Sequence, residues 1–306
     1  METVITVEHL RKTYGSAVAV ADVSFSVGRG EIFGILGPNG AGKTTTVECL
    51  QGLRSPNGGK LAVLGLDPQR SAERLRRRVG SQLQSSALPE RLRVEEAIWL
   101  FSRLHDGRVN LDATLDSWGL RPLRRRAFAA LSGGQRQRLF LALALLGEPE
   151  VVFLDELTTG LDPTARRATW QLVRQIRDRG ATVVLVTHFM EEAEALCDRI
   201  AIVDEGRVVA LDTPAALTAH QGGPVRTTFT VDGYDPRHLT ELAGVESVTV
   251  DAGQVTVRAE GAATVRVAAA LAARGVEPLD FRTHHPSLED VFVTLTGRSL
   301  TGKDPS

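Results

Sequence analysis

A glycine-rich turn between an apolar run and a helical pattern constrains the fold of this 306-residue chain most strongly. Residues 32–36 read IFGIL, residues 37–42 read GPNGAG, and KTTTVECLQGL follows. A short apolar run that ends in glycine is typical of a buried strand, and the segment after it has a helical period. Further apolar runs, VVFLDE at 151–156 and ATVVLVTH at 181–188, also alternate with helical segments. The sequence therefore predicts an α/β fold with a parallel sheet and helical crossovers.

The turn itself has the pattern G-x-x-x-x-G-K-[ST] in the strand–turn–helix context that this motif requires. Its glycines allow backbone N–H groups to curl around phosphate oxygens, and the helix N-terminus adds positive potential. We expect Lys43 to reach the β- and γ-phosphates of a nucleotide and Thr44 to bind Mg²⁺. An idle glycine-rich turn is the alternative. The predicted nucleotide-binding residues of this phosphate loop are Gly37, Pro38, Asn39, Gly40, Ala41, Gly42, Lys43, Thr44 and Thr45.

Two adjacent acids end the apolar run at 151–156. Asp155 at the strand tip can hold the shell of a Mg²⁺ ion, and Glu156 can orient and polarise an attacking water. A polar strand end that caps the next helix is the alternative, and it is common for a single acid. Two acids at this position, in a chain that also has a phosphate loop, favour catalysis.

A second glycine pair lies in LSGGQRQRLF at 131–140, where a serine and two glycines open a helical segment. Adjacent glycines lose much conformational entropy on folding, which suggests a backbone that must approach something closely. Ser132, the amides of Gly133 and Gly134 and the helix N-terminus would form an anion cradle without a nucleotide anchor of its own. We expect its ligand to come from elsewhere in the chain or from another chain.

The pattern divides the chain into two domains. Residues 1–220 begin with antiparallel β-structure and include a mainly helical subdomain at about 90–146. After HQGGP at 220–224, the order of predicted elements is β-α-β-β-α-β, which is typical of a small ferredoxin-like α+β domain at 224–306. Its last helix is predicted to start at Ser287, with Asp290 completing a capping box.

Composition excludes several classes of protein. The net charge is −1, and the arginine-rich runs are not interleaved with aromatic residues, so nucleic-acid binding is not supported. Cys49 and Cys197 have no metal-like spacing and are predicted to be core residues in a reducing compartment. No signal peptide is apparent, and no apolar run reaches the ~20 residues that cross a bilayer. The chain could still dock on a membrane protein.

Together, these motifs resemble the ATP-binding subunit of ABC transporters over about residues 1–220. Many NTPases have a phosphate loop, whereas LSGGQ followed by FLDE at 153–156 and by TH at 187–188 is far more specific. The resemblance implies a P-loop ATPase domain with a parallel core, an antiparallel β subdomain and a helical subdomain. It also implies ATP and Mg²⁺ as cofactors and hydrolysis of ATP by in-line attack of water.

The resemblance also implies roles for single residues. Tyr14 matches the aromatic residue that stacks on adenine, with a core tyrosine as the alternative. His188 matches the histidine that contacts the γ-phosphate, and Asp162 matches a loop that communicates across the dimer. Gln84 matches the glutamine that senses Mg²⁺ and water and links to the membrane subunit, although Gln82 is only two residues away. The implied catalytic residues are therefore Glu156, His188 and Gln84, and the implied metal ligands are Thr44, Gln84 and Asp155.

One position departs from the family pattern. The family usually has Asp-Glu-Pro where this chain has Asp155, Glu156 and Leu157. Proline would fix φ and stiffen the turn after the catalytic acid, so leucine predicts a looser turn.

In this family, the LSGGQ segment of one subunit covers the ATP that the phosphate loop of the other subunit holds. Ser132, Gly133, Gly134 and Gln135 are therefore expected to complete the site of a second copy in a head-to-tail homodimer. The resemblance further implies a separate membrane permease, no nucleic-acid partner and a peripheral position on the cytoplasmic face of the membrane.

Two further segments resemble a subset of the family. HHPSLEDVFVTLTGR at 284–298 and LQSSALPERL at 83–92 are similar to segments of daunorubicin-resistance efflux ATPases, which implies an exporter of drugs, antibiotics or other amphipathic compounds. A soluble ABC ATPase of translation or repair is a rival, but such proteins usually carry two ATPase halves or a long coiled coil. A regulatory subunit that binds ATP without hydrolysing it is a second rival, and Leu157 is its only support.

Overall fold

The structure is a computed structural model that describes residues 2–82, 87–103, 109–231 and 235–298. The chain divides into two compact units, Met1–Pro214 and Ala215–Ser306. The division lies a few residues before the predicted linker at 220–224. The helix Pro214–Gln221 therefore groups almost entirely with the second unit rather than with the ATPase part.

A nine-stranded mixed sheet organises the first unit, with the spatial order β4-β1-β2-β9-β8-β3-β7-β6-β5. Neighbours in the segment β8-β3-β7-β6-β5 are parallel, whereas β1 pairs antiparallel with β2 and β4, and β8 with β9. The strands are β1 (Thr3–Tyr14), β2 (Ala17–Gly28), β3 (Ile32–Leu36), β4 (Gly58–Val63), β5 (Val79–Gln82), β6 (Val151–Asp155), β7 (Thr182–Thr187), β8 (Arg199–Asp204) and β9 (Arg207–Asp212). The predicted α/β fold is confirmed for this unit.

The three strands β3, β7 and β6 are buried at every residue, as expected for parallel strands that are covered on both faces. Leu36 pairs with Thr187, and Asp155 pairs with Val186. Because parallel strands end at the same edge of a sheet, the segments that follow these strands start side by side. This edge positions the candidate site.

Helices connect the strands of the first unit, and one helical stretch lies between β5 and β6. The helices are α1 (Lys43–Leu50), α2 (Ala72–Arg76), α3 (Val94–Ser102), α4 (Leu111–Ser117), α5 (Gly133–Ala144), α6 (Pro163–Asp178) and α7 (Met190–Leu196). Two short 3-10 segments, Arg121–Leu123 and Phe128–Ala130, separate α4 from α5.

The second unit contains a four-stranded antiparallel sheet with the order β11-β12-β10-β13. Phe229, Val257 and Leu271 are among the residues of its buried core. Its elements are α8 (Pro214–Gln221), β10 (Val225–Thr230), a 3-10 segment (Pro236–Glu241), β11 (Val245–Asp251), β12 (Gln254–Ala259), α9 (Ala263–Ala273), β13 (Leu279–His284) and α10 (Leu288–Thr296).

Two expectations for this unit need correction. The first predicted helix is a 3-10 segment, Pro236–Glu241, with Asp235 as its N-cap. The last strand of the predicted order, which the segment VEPLDF at 276–281 indicates, begins at Leu279 rather than at Val276. The capping box is present, since Ser287 and Asp290 exchange side chain–backbone hydrogen bonds at the start of α10. The ferredoxin-like assignment stays a prediction.

Candidate functional site

The loop 37–42 follows β3 and leads directly into α1. Gly40 and Gly42 have φ values of 83° and 95°, a left-handed conformation that favours glycine. A Cβ atom on Gly37 would lie 2.1 Å from the carbonyl oxygen of Val203, and one on Gly42 would lie 2.3 Å from that of Ala19. Neither position can take a side chain without movement of the backbone. The glycines therefore let the loop lie close to the chain's own backbone directly before a helix N-terminus, where a phosphate could be bound.

Lys43 begins α1 and has only 5% of its surface exposed. Its Nζ donates hydrogen bonds to the carbonyl oxygens of Gly37 at 2.7 Å and Pro38 at 2.8 Å. Burial lowers the pKa of the Lys43 ammonium, and the charges of Glu156 and Asp155 oppose this change. The ammonium is thus folded over the loop and is poorly hydrated, so a phosphate brought to it would be attracted more strongly than in bulk water.

Asp155 and Thr44 meet across 111 positions of sequence. The Thr44 hydroxyl donates to Oδ2 of Asp155 at 3.1 Å. Oδ1 of Asp155 is buried and has no hydrogen-bond partner among the described residues. Burial raises the pKa of the Asp155 carboxyl, and the negative charge of Glu156 raises it further. The hydrogen bond from Thr44 and the positive charge of Lys43 lower this pKa, but the net change is an increase.

These two residues fit a magnesium ion. Mg²⁺ prefers carboxylate and hydroxyl oxygens and usually binds through one or two protein groups, phosphates and water. The buried Oδ1 of Asp155 is an acceptor that such an ion would satisfy. Within the described ranges, no group of three or more His, Cys, Asp or Glu side chains is arranged to hold a metal ion, so nothing suggests a cage made of protein ligands alone.

Glu156 and His188 lie directly after β6 and β7. Nδ1 of His188 is 3.2 Å from Oε1 of Glu156, and the Glu156 side chain is only 9% exposed. The backbone N–H of Glu156 donates to the carbonyl oxygen of Val186 at 2.9 Å, and Glu156 has a φ of 49°. The sheet therefore joins the two predicted catalytic residues in one contact, which the sequence alone did not indicate.

The turn after Glu156 is well anchored despite the leucine at position 157. Leu157 is 1% exposed, and the N–H of Thr159 donates to the carbonyl oxygen of Glu156 at 3.3 Å. Packing of an apolar side chain thus holds this turn where a proline would have fixed φ. The structure gives no support to the looser turn that was expected.

The LSGGQ segment forms the N-terminus of α5. Ser132 is the N-cap: its hydroxyl accepts from the N–H of Gln135 at 3.4 Å, and the Gln135 side chain accepts from the N–H of Ser132 at 3.0 Å. A Cβ on Gly133 would lie 3.3 Å from Leu161, and one on Gly134 would lie 3.3 Å from Ala165. Part of the reason for the glycine pair is therefore close packing inside the chain. In the described part of the chain, no hydrogen bond joins Ser132–Gln135 to the phosphate loop.

Comparison with known proteins places the chain in a family. The daunorubicin resistance ATP-binding protein DrrA3 of Streptomyces coeruleorubidus is 40% identical over 97% of this chain and 96% of that protein. The chain belongs to the ABC transporter ATP-binding subunits. The family model described as ABC transporter matches residues 20–159. The Nod factor export ATP-binding protein I of Sinorhizobium fredii is 36% identical over 98% of this chain and 88% of that protein.

A solved structure supports the same assignment. The structure titled "Structure of ATP binding subunit of ABC transporter" has a TM-score of 0.62 and 30% identity, and the match covers 70% of this chain and 91% of that one. The chain is thus an ABC-type ATPase subunit that binds nucleotide. No helix within the described ranges is long and apolar enough to cross a membrane.

Asp162 is the N-cap of α6 in this ABC subunit. Its Oδ1 accepts from the N–H groups of Thr164 and Ala165, both at 2.9 Å. An aspartate directly before a proline that opens a helix is a recognised cap pattern, so the sequence could have revealed this structural function. Communication across a dimer stays a prediction for this residue.

Tyr14 lies at the end of β1 with 43% of its surface exposed, so it is not a core tyrosine. Lys12 and Arg54 lie over its ring at 5.1 and 5.9 Å from the centroid. An exposed ring is compatible with stacking on adenine, which stays a prediction.

Gln84 lies outside the described residues. Gln82, the alternative register, ends β5 with 7% exposure, and its Oε1 accepts from Nε2 of Gln137 on α5 at 2.7 Å. The side chain of Gln82 therefore binds to α5, the helix that begins in the LSGGQ segment. The role assigned to Gln84 remains a prediction.

Sequence reasoning did not single out Glu192, a fully buried acid on α7. Its exposure is 0%, and Nε1 of Trp170 donates to its Oε1 at 3.1 Å. A signal exists in the sequence, because Glu192 and Leu196 are four residues apart and share the buried face of α7.

Proposed function

We propose that this subunit hydrolyses ATP with the help of Mg²⁺ and thereby energises a separate membrane permease that exports drugs, antibiotics or other amphipathic compounds. The convergence of Lys43, the Thr44–Asp155 pair and the Glu156–His188 pair at one edge of the sheet carries the proposal. Two relatives support export, because their names refer to daunorubicin resistance and to Nod factor export.

The proposed chemistry assigns one task to each group. The loop amides and Lys43 bind the phosphates, and Thr44 and Asp155 would hold Mg²⁺, which would neutralise charge on the phosphates. Glu156 accepts a hydrogen bond from the attacking water and orients it in line with the γ-phosphate. His188 fixes the Glu156 carboxylate through the contact at 3.2 Å and faces the γ-phosphate. Positioning and charge stabilisation supply most of the rate enhancement, as is usual for phosphoryl transfer.

The proposal includes a homodimer in which Ser132–Gln135 of one copy covers the nucleotide of the other. Gly133 is exposed at the N-terminus of α5, and this segment offers helix N–H groups but no anchoring lysine, which supports the arrangement. ATP would join the two copies, and hydrolysis would release them. This cycle would drive the permease because a ligand shifts a conformational equilibrium by its differential affinity for the two states.

Mixed dimers test the composite site. In the first design, one chain carries Lys43→Ala and the other carries Ser132→Arg. If each site combines the phosphate loop of one chain with the LSGGQ segment of the other, one site has both lesions and the second site is intact. In the second design, one chain carries both substitutions beside a wild-type partner, and each composite site has one lesion. We expect the purified first dimer to retain about half of the wild-type rate, if the sites fire independently, and to hydrolyse ATP faster than the second.

The two designs contain the same two substitutions, so their effects on folding should cancel. The opposite ranking would show that LSGGQ serves its own chain, since the wild-type partner in the second design would then keep a complete site. Nucleotide-dependent dimerisation, measured by light scattering, distinguishes a failure to associate from a failure to hydrolyse.

Co-purification tests the coupling to a permease. We expect the tagged chain, isolated from detergent-solubilised membranes of its own host, to bring down a protein with about six apolar helices of about 20 residues each. An unrelated soluble protein with the same tag is the control. Recovery with ribosomes or DNA instead would favour the rival class of soluble ABC ATPases. A chain that binds ATP without any turnover, alone or with its permease, would favour the regulatory rival.

We place the subunit at the cytoplasmic face of the membrane as a peripheral protein, with no nucleic-acid partner. The net charge of −1 and the resemblance to transport subunits support this placement.

A further inference from the structure

The four-stranded sheet of the second unit has a core face and an outward face. On β10, Phe229 lies in the core with Val257 of β12 and Val267 of α9. Because side chains alternate along a strand, Arg226 and Thr228 point to the other side of the sheet. The outward face is defined here by side chains of the three strands β10, β12 and β13, namely Arg226, Thr228, Thr256, Arg258, Arg282 and His284.

The strand register gathers basic side chains on the outward face. Arg226 lies directly opposite Arg258 on β12 and opposite His284 on β13, and Thr228 lies opposite Arg282. All three arginines and His284 are exposed. Like charges at directly opposed positions of a sheet are destabilising, so the pairing of Arg226 with Arg258 does not contribute to the stability of the sheet.

The acids of the second unit do not neutralise this cluster. Residues 215–298 contain ten Asp and Glu residues against seven Arg residues. Nevertheless, no ion pair in the described part of the chain includes Arg226 or Arg258, and Arg282 lies 3.7 Å from the exposed carboxylate of Asp280. Positive charge is therefore concentrated on one face of a unit whose overall balance is acidic, as expected of a site for an anion.

A concavity of about 460 Å³ lies among these side chains, a volume within the range of small-molecule sites. Arg226, Arg282, Thr228 and Thr256 are among the residues that line it. Each guanidinium presents a planar fork of N–H donors, and each hydroxyl offers a further donor. A phosphate monoester has three acceptor oxygens and nearly two negative charges, whereas a carboxylate has two oxygens and one charge. The donor set therefore matches a phosphate group better than a carboxylate.

We propose that the outward face of the second unit binds the phosphate group of a small soluble molecule. Arg226 and Arg282 are the charged ligands, and the hydroxyls of Thr228 and Thr256 donate to the remaining phosphate oxygens. Asp280 competes with the phosphate for Arg282. This site is separate from the phosphate loop and does not depend on ATP hydrolysis by the first unit.

The charge balance of the second unit favours a small ligand over a large charged surface. An anionic membrane or a nucleic acid spreads its negative charge over a wide area, which would also meet the acids of this unit. Salt screens interactions beyond about 10 Å, so a phosphate group inside the concavity interacts mainly with the arginines that line it.

Titration with inorganic phosphate tests the proposal. The full-length, nucleotide-free protein is titrated while sodium chloride keeps the ionic strength constant. The backbone amide NMR signals of Thr228 and Thr256 and the imidazole signals of His284 report binding at the outward face, and those of residues 37–42 report binding at the phosphate loop. We expect saturable shifts at the outward face with a Kd of about 10 mM or less.

Three substitutions should change this Kd in different ways. Arg226→Gln removes one charged ligand and should weaken binding about tenfold or more. Asp280→Asn removes the competing carboxylate and should tighten binding about two- to fivefold; asparagine tolerates the φ of 53° at this position. Arg274→Gln is the matched control, because it removes an exposed arginine at the end of α9, on the core side of the sheet, and should leave the Kd unchanged.

Thermal unfolding without phosphate checks that the variants are folded. Arg226→Gln should be at least as stable as the wild type, because it removes the repulsion from Arg258. A loss of phosphate binding in this variant therefore cannot be ascribed to unfolding.

Two results would overturn the proposal outright: shifts that sodium chloride alone reproduces, and a Kd that Arg226→Gln leaves unchanged. Shifts confined to residues 37–42 would also contradict it, since they would place the phosphate in the first unit. Vesicles of phosphatidylglycerol that bind through Arg226, while inorganic phosphate has no effect, would replace the small ligand by a membrane surface.

Discussion

Replacing Glu156 by glutamine is expected to slow ATP hydrolysis by about 10²- to 10⁴-fold, the usual contribution of a positioned acid or base. Glutamine has nearly the same shape and can keep a hydrogen bond to His188, which lies 3.2 Å from the carboxylate. It lacks the negative charge that, in the proposed mechanism, orients and polarises water. ATP binding should remain, because the loop amides, Lys43 and the Thr44–Asp155 pair are unchanged.

The measurements are steady-state phosphate release, the Kd for ATP and the elution volume on size exclusion with ATP and Mg²⁺. Glu156→Gln should accumulate as an ATP-bound dimer, because in the proposed cycle only hydrolysis separates the two copies. Glu73→Gln makes the same chemical change on the surface, where the side chain is 86% exposed, and should behave as the wild type. Hydrolysis at the normal rate in Glu156→Gln would remove this residue from the mechanism.

Replacing Lys43 by alanine is expected to weaken ATP binding about 10- to 150-fold. This range corresponds to the loss of about 1.5–3 kcal/mol, the value of one hydrogen bond to a charged group. Lys43 is 5% exposed and its ammonium lies over the phosphate loop. A charged side chain on the protein surface therefore cannot easily take its place beside the phosphates. Turnover should fall further than affinity, because the same charge stabilises the transition state.

Equilibrium binding of a fluorescent ATP analogue measures the first effect, and thermal unfolding checks that the variant is folded. Lys60→Ala removes an exposed lysine on β4 and serves as the control. Wild-type affinity together with wild-type turnover in Lys43→Ala would show that the loop does not hold the nucleotide phosphates.

The sequence by itself determined the elements that depend on short-range patterns. The period of the apolar residues predicted β3, β6 and β7 and the helices that follow them, because burial of a strand or a helix face repeats along a few neighbouring residues. The phosphate loop was predicted for the same reason: its glycines, its lysine and the helix start lie within nine consecutive residues. The Ser287–Asp290 capping box, three residues apart, belongs to this local class as well.

Tertiary structure alone decided which of these local features meet. Thr44 and Asp155 are 111 residues apart, and Glu156 and His188 are 32 residues apart. Their contacts exist because β7 lies between β3 and β6 in the sheet, an order that no local pattern encodes. The glycine pair of LSGGQ shows the same limit. The sequence indicated a close approach, but only the fold shows that the glycines pack against Ala165 on α6 and against Leu161 in the segment before it. The sequence did not single out Glu192, because burial is a property of all the elements that surround a side chain.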